Sequence, residues 1–304
     1  MNSSVRRNLQ GSPGSRLPDR LARSSGGALR QAAIPLSFRL ALANAALALG
    51  VLGCLRITAI PFLSPPPSGT AAGGPAIGEG AAQGDAQALL GQAITAYRAA
   101  DYVGAIALLD NAIRLDQANP EAYFYRGRSS YKLGDLDQAL ADLDSTLRLA
   151  PQHAGAYYYR GRVQYRMGNY AQAVEDLGQT LTLDPQNAQA LLYRGRALYK
   201  LERYADAVRD ETQAIALQPG LADAYYYRGR AYYKLGEYYQ TIADMDQVIA
   251  LDPESAGAYF YRARAYAKVD AITRAVEDLQ KALSLALPDN LRARAEALLD
   301  ELQP

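Results

Sequence analysis

Residues 125–128 read Tyr-Arg-Gly-Arg, and the same tetrapeptide returns at residues 159–162, 193–196 and 227–230. A variant, Tyr-Arg-Ala-Arg, follows at residues 261–264, so the interval is 34 residues each time. Prolines preceded by a leucine-containing dipeptide keep the same interval: Pro151, Pro185, Pro219 and Pro253. A proline disfavours the helical conformation in the residue before it, so each one predicts the end of a helix. The chain therefore repeats a helical unit of 34 residues.

This period and its anchor residues resemble the tetratricopeptide repeat, a helix-turn-helix family with a 34-residue unit. Six units begin at Ala86, Pro120, Ala154, Ala188, Ala222 and Ala256. Position 8 of each unit is small, and it is glycine in four of them: Gly127, Gly161, Gly195 and Gly229. The resemblance implies an all-α fold, a right-handed superhelical solenoid of six helix pairs over residues 86–289. A capping helix over residues 290–304 is expected to cover the last unit.

Local signals agree with this fold. The glycines that would follow a first helix tolerate positive φ, which favours a helix end there: Gly134, Gly168 and Gly236. Polar residues just after them are expected to cap the second helices: Asp101, Asp135 and Asn169. Asp289 or Asn290 is expected to cap the last helix. An apolar stripe of that helix should face the array: Leu291, Ala295, Leu298 and Leu302.

The first 85 residues differ in composition from the repeats. Residues 1–56 contain eight arginines and one aspartate, a net charge of +7, whereas the rest of the chain has −6. We predict a basic disordered segment over residues 1–39 and a Pro-, Gly- and Ala-rich flexible linker over residues 64–85. The uncharged run from Leu40 to Leu55 is helix-forming and about 24 Å long as a helix, against a hydrocarbon core of about 30 Å. Ile57 to Leu63 prolongs it, so residues 40–63 are predicted to be a membrane segment.

The basic residues before this segment predict a cytoplasmic N-terminus and repeats on the non-cytoplasmic side, in the periplasm or on the outer face of a membrane. Several kinds of segment fit the sequence. An uncleaved signal anchor is one, and a lipoprotein signal is another, because Val51 to Cys54 resembles a bacterial lipobox with Cys54 as the lipidated residue. An organellar transit peptide, a twin-arginine signal at Arg6-Arg7 and a buried soluble helix are further alternatives.

Composition argues against catalysis and cofactor chemistry. The chain has one cysteine and one histidine, Cys54 and His153, too few for a disulfide framework or a His/Cys zinc cluster. No glycine-rich phosphate loop and no histidine-based hydrolase triad can be found. We therefore expect no enzyme activity, no cofactor, no metal and no small-molecule substrate. His153 is expected to be an ordinary surface histidine.

The two arginines of the Arg-x-Arg pair, at positions 7 and 9, diverge by about 200° around a helix, so they must have different roles. Position 7 lies on the predicted apolar seam, where a charge needs a partner. Aspartate recurs at position 23 of the facing helix: Asp142, Asp176, Asp210, Asp244 and Asp278. We predict that Arg160, Arg194 and Arg228 are mostly buried and form salt bridges with these aspartates.

Position 9 shares a helix face with positions 2, 5, 12 and 13. The resemblance implies that this face lines the concave groove, and we call it the groove face. We predict that its basic and aromatic residues bind a partner: Arg128, Lys132, Tyr158, Arg162, Tyr165, Arg166, Arg196, Tyr199, Lys200, Tyr226, Arg230, Tyr233, Lys234 and Arg264. The alternative is that the tyrosines pad helix stacking and the bases are solvated charge.

The leading functional hypothesis is a scaffold that binds an acidic peptide or protein, supporting the assembly or localisation of membrane or envelope complexes. An alternative is binding of single-stranded RNA along the Arg/Tyr face, which the acidic body disfavours. An organelle-targeted assembly factor and a hidden enzyme complete the alternatives. A well-formed pocket with convergent titratable groups would indicate the enzyme.

Overall fold

The computed structural model of the protein describes residues 77–303. All regular structure in this range is helical, without a strand, and it forms thirteen helices: α1 (Ile77–Arg98), α2 (Tyr102–Leu115), α3 (Pro120–Leu133), α4 (Leu136–Leu149), α5 (Ala154–Met167), α6 (Tyr170–Leu183), α7 (Ala188–Lys200), α8 (Tyr204–Leu217), α9 (Ala222–Leu235), α10 (Tyr238–Leu251), α11 (Ala256–Lys268), α12 (Ile272–Ser284) and α13 (Asp289–Leu302). Each helix packs on its chain neighbours, and the first helix of each unit also contacts the first helix of the next. Such nearest-neighbour packing is that of a solenoid.

The six predicted helix pairs correspond to α1 through α12. One boundary differs from the prediction: α1 begins at Ile77 rather than at Ala86. The end of the segment that we predicted to be a flexible linker is therefore helical, a correction to that boundary. Once Ala86, Leu90 and Ala93 are packed, each further helical residue costs little, because elongation is much easier than nucleation. The basic segment over 1–39, the membrane segment over 40–63 and the rest of the linker lie outside the described residues.

The predicted turn signals are mostly confirmed. Gly134, Gly168 and Gly236 end α3, α5 and α9 with φ values of 85–90°. Asp101 and Asp135 accept hydrogen bonds from backbone N–H groups three residues on. Two caps were predicted wrongly. Asn169 does not cap α6 and instead donates from Nδ2 to Gln164 Oε1, while α13 begins at Asp289 without a side-chain cap.

Small residues bring the two helices of a unit close together. A Cβ atom added to Gly127 would lie 3.1 Å from the Asp142 Cβ and 3.2 Å from the carbonyl oxygen of Ala139. At these distances the facing helix would have to shift by a few tenths of an ångström to admit a methyl group. Alanine at position 20 is buried in all five units that carry it. The apolar side chains of the second helices fill the space on either side of this contact.

The capping helix covers the last unit as predicted. Ala295 is fully buried, and Leu291, Leu298 and Leu302 pack against a core cluster that includes Phe260 and Leu279. The apolar face of the sixth unit is thereby shielded. No helix within residues 77–303 combines the length and the apolar character needed to cross a lipid bilayer.

Candidate partner-binding surface

The position-7 arginine of units 2 to 6 donates a forked pair of hydrogen bonds to the position-23 aspartate of its own unit. Arg160 Nε lies 2.9 Å from Asp176 Oδ2, and Arg160 Nη2 lies 2.7 Å from Asp176 Oδ1. We call these five pairs the Arg–Asp ladder: Arg126–Asp142, Arg160–Asp176, Arg194–Asp210, Arg228–Asp244 and Arg262–Asp278. The aspartates are only 2–7% exposed. The predicted pairing of Arg160, Arg194 and Arg228 is confirmed.

The ladder also joins neighbouring units, which the sequence reasoning missed. Arg160 Nη1 donates to Asp144 Oδ1 of the preceding unit over 2.7 Å. The same contact, from position 7 to position 25, joins Arg126 to Asp110 and Arg262 to Asp246. The hydrogen bonds to Asp176 and Asp144 raise the pKa of the Arg160 guanidinium above its ordinary value. The recurrence of Asp110, Asp144 and Asp246 at position 25 was the available signal.

The position-9 arginines are held by aromatic rings. The Arg162 Cζ lies 4.9 Å from the ring centre of Tyr131, 5.3 Å from Tyr158, 5.4 Å from Tyr159 and 4.6 Å from Tyr193. These rings come from three successive units and belong to positions 12, 5, 6 and 6. A guanidinium within about 6 Å of a ring centre is attracted by the ring's quadrupole. We call this arrangement an aromatic cage.

The cage recurs around Arg128, Arg196, Arg230 and Arg264. Each of these arginines is half-buried, and the Nε atoms of Arg128, Arg162, Arg196 and Arg230 are buried without an acceptor within the described residues. The position-9 arginines are therefore not the solvated charge that the alternative interpretation of the groove face assumed. Rings of consecutive units, rather than carboxylates, surround these guanidinium groups, so the groups contribute to the contacts between units.

The position-5 aromatics are also largely used in packing. Phe124 and Phe260 are buried, and burial raises the pKa of Tyr158 to about 12. Glycine at position 2 of the following unit, Gly155 or Gly257, makes room for two of them, Phe124 and Tyr226. A Cβ atom on Gly257 would lie 2.8 Å from the Tyr226 hydroxyl. These rings therefore support the contact between units and leave little free ring surface.

The position-13 bases are different, because all six are exposed. We call them the basic row: Arg98, Lys132, Arg166, Lys200, Lys234 and Lys268. None of them forms a salt bridge within residues 77–303. Arg166 donates from Nη1 to the carbonyl oxygen of Tyr131, which keeps its guanidinium beside the ring. The basic row is uncompensated charge on the groove face.

The predicted site residues thus divide into two groups. Those in the aromatic cages or packed beside them are Arg128, Tyr158, Arg162, Tyr165, Arg196, Tyr199, Tyr226, Arg230, Tyr233 and Arg264. Those in the basic row are Lys132, Arg166, Lys200 and Lys234.

His153 is not the ordinary surface histidine that we expected. Its Nδ1 atom caps α5, and the centre of its ring lies 4.4 Å from that of Phe124.

Unit 4 contains a buried carboxylate that sequence reasoning missed. Glu211 occupies position 24, where other units have leucine or methionine, and it is fully buried. Neither carboxylate oxygen has a hydrogen-bond partner in the described part of the chain. Burial, assisted by the neighbouring charge of Asp210, raises the pKa of Glu211 well above its ordinary value of 4.5. The signal was a lone glutamate at a position that is otherwise apolar.

Known proteins resemble this chain in both sequence and fold. Sequence models described as tetratricopeptide repeat match residues 90–154, 126–166, 158–222 and 222–255. A crystal structure of MamA is 27% identical, with a TM-score of 0.52 over 54% of this chain and 90% of that one. The MamA of Desulfovibrio magneticus RS-1 is 21% identical, with a TM-score of 0.53 over 56% of this chain and 97% of that one.

A third solved structure is YrrB, described as a tetratricopeptide-repeat protein with an unusual peptide-binding site. It is 24% identical, and its TM-score is 0.55 over 62% of this chain and 97% of that one. At this level of identity the likeness concerns the fold alone. No curated protein matches the sequence significantly.

Proposed function

Because the chain is a tetratricopeptide-repeat protein over residues 90–255, we propose that it is a scaffold that binds an acidic peptide or protein along its groove face. The observation that carries this proposal is the basic row. Every one of its six bases is exposed and lacks a carboxylate partner in residues 77–303, although each ladder arginine is hydrogen-bonded to a buried aspartate. Uncompensated charge of one sign, repeated once per unit, favours an extended partner of the opposite sign.

The aromatic cages hold this charge in place. Cage rings from neighbouring units fix the first helices against one another, so the bases of the row are displayed on a fixed framework. A pre-ordered surface loses less conformational entropy on binding than a flexible one. The cages therefore contribute to binding indirectly, whereas the row contacts the partner.

The test compares two triple variants that remove the same charge from different surfaces. The first is Lys132→Gln, Lys200→Gln and Lys234→Gln in the basic row. The matched control changes exposed bases of the second helices: Arg114→Gln, Arg148→Gln and Lys281→Gln. Affinity for a fluorescent peptide of ten aspartates and glutamates is measured at about 50 and 300 mM salt, where the Debye length falls from about 14 to 6 Å.

We expect the affinity of the row variant to be about tenfold lower than that of the parent at low salt, which corresponds to about 1.4 kcal/mol of binding free energy. The loss of affinity should be smaller at high salt. The control should bind like the parent. Equal affinity of the parent and the row variant at low salt would refute the proposal.

Single-stranded RNA is the competing ligand, and the cages count against it. Binding of bases by stacking needs free aromatic ring faces. Here guanidinium groups and neighbouring rings occupy the tyrosine faces, and Tyr131 is buried. A fluorescent oligouridine in the same titration should bind more weakly than the acidic peptide. Tighter binding of oligouridine would favour the RNA function.

We also propose that residues 40–63 hold the repeats at a membrane, on its non-cytoplasmic side, where the scaffold would support assembly of membrane or envelope complexes. The apolar run from Leu40 to Leu55 and the arginines before it support this proposal. Protease added to spheroplasts should digest the repeats, and full protection would contradict it. Cys54→Ser should abolish lipid labelling if Cys54 is lipidated and leave a signal anchor unchanged.

A further inference from the structure

We infer that the C-terminal end of the groove face contains a pocket for an aromatic side chain flanked by acidic residues on the partner polypeptide. This inference rests on the proposed function and specifies its partner. The pocket is a cavity of about 390 Å³ between α11 and α13. It is lined by residues that include Tyr233, Phe260, Arg264, Lys268, Arg294 and Glu301. This volume lies in the range of about 300–1,000 Å³ that is typical of ligand sites.

Units 2 to 5 show which chemical group lies beside a position-9 arginine. Each inner position-9 arginine has a tyrosine from position 6 of the following unit against its guanidinium. The distances from Cζ to the ring centre are 4.7 Å for Arg128–Tyr159, 4.6 Å for Arg162–Tyr193, 4.4 Å for Arg196–Tyr227 and 5.0 Å for Arg230–Tyr261. The chain thus places a phenol ring on this side of the arginine four times.

Arg264 has no such ring, because the next element is the capping helix. The residue 34 positions after Tyr261 is Ala295, whose methyl group is buried against the core. The Arg264 Cζ lies 4.2 Å from the ring centre of Tyr233, 5.6 Å from that of Phe260 and 5.7 Å from that of Tyr261. The Nε atoms of the inner four arginines are buried without a hydrogen-bond acceptor, whereas the Nε of Arg264 is not. The cavity is bordered by α13, the helix that stands where a following unit would supply that ring.

The charges around the cavity indicate what should flank that ring. Arg264, Lys268 and Arg294 carry positive charge and Glu301 is the one carboxylate in the lining. Lys268 and Arg294 are exposed and form no salt bridge within the described residues. Burial of a ring against Arg264 would add a cation–π contact, and acidic neighbours on the partner would meet the two exposed bases.

The test uses the full-length chain and a fluorescent pentapeptide, Asp-Glu-Tyr-Glu-Asp. Three analogues replace its tyrosine by phenylalanine, leucine or alanine. We expect the tyrosine and phenylalanine peptides to bind about tenfold tighter than the alanine peptide, with leucine in between, because only a ring makes the cation–π contact. Equal affinity of all four peptides for the parent protein would overturn the inference.

Two phenylalanine substitutions on α13 form a matched pair. Ala297→Phe places a ring into the cavity, whereas Ala293→Phe puts the same ring on an exposed position outside it. We expect Ala297→Phe to abolish the preference for aromatic peptides and Ala293→Phe to keep it. Preservation of the preference in Ala297→Phe would overturn the inference. The peptide comparison uses the parent protein, so it remains decisive even if a variant fails to fold.

The outcomes also separate this inference from the proposed function. If all four peptides bind equally and neutralisation of the basic row lowers the affinity for each of them, the proposed function is supported and the pocket inference is overturned. If none binds at low salt, both fall. If the pocket instead accepts a second copy of this chain, sedimentation should show a dimer that Ala297→Phe disrupts, and the partner inference would be overturned.

Discussion

The Arg–Asp ladder and the basic row place positive charge in two different environments on the same helix. Arg160 of the ladder meets two carboxylates and is three-quarters buried, whereas Arg166 on the same helix is exposed and meets none. The difference follows from position in the unit rather than from residue type. Charge at position 7 is used within the array, so only charge at position 13 remains for a partner.

Removal of a buried ladder carboxylate should have the largest effect. Asp176→Ala leaves the Arg160 guanidinium without its forked partner, and we expect a loss of about 3 kcal/mol in the free energy of unfolding. The matched control is Asp144→Ala, which removes the exposed carboxylate from the same guanidinium and should cost less than about 1 kcal/mol. Urea denaturation measures both. Equal losses would contradict the distinction between the buried and exposed contacts.

Glu211 is the opposite case, a buried charge-bearing group that no ladder partner compensates. Glu211→Leu restores the side chain that units 1, 2, 3 and 6 have at position 24, and we expect a gain of about 2 kcal/mol. The control Glu211→Gln keeps the volume and the polar atoms, so it should gain less. Thermal unfolding of both variants at pH 7 measures the difference.

The pH dependence of this gain is a sharper check. The folded-state pKa of Glu211 is raised, so the folded chain holds this proton more tightly than the unfolded chain does. Its favourable contribution is complete below the unfolded value of 4.5 and is lost as pH rises through the folded-state pKa. The advantage of Glu211→Leu should therefore grow as pH increases from 4.5 to 8. A constant advantage would contradict the assignment.

The smallest expected effect concerns the one gap in the inter-unit contacts of the ladder. Position 25 of unit 3 is Gly178, so Arg194 lacks the second acceptor that Arg126, Arg160 and Arg262 have. Gly178→Asp should be about 0.5 kcal/mol more stable than the uncharged control Gly178→Asn, and this difference in stability should become smaller at high salt. No difference between the two variants at low salt would show that the gap has no energetic consequence.

Much of this fold was predictable, since the 34-residue interval and its glycines and prolines are local signals. The ladder pairs were also predictable, because Arg160 and Asp176 recur together on facing helices. The cages were not, because they depend on rings from three units meeting at one guanidinium, as Tyr131, Tyr159 and Tyr193 do around Arg162. Contacts between units depend on the angle between helix pairs, which residue spacing within one unit does not specify.

The most direct test of the division of roles measures stability and affinity together. The cage variant carries Arg162→Met, Arg196→Met and Arg230→Met, and the row variant carries Lys132→Gln, Lys200→Gln and Lys234→Gln. We predict that the cage variant loses about 3 kcal/mol of unfolding free energy. The row variant should stay within about 0.5 kcal/mol of the parent while losing affinity for the acidic ten-residue peptide at low salt. A row variant that binds this peptide as tightly as the parent would contradict the account.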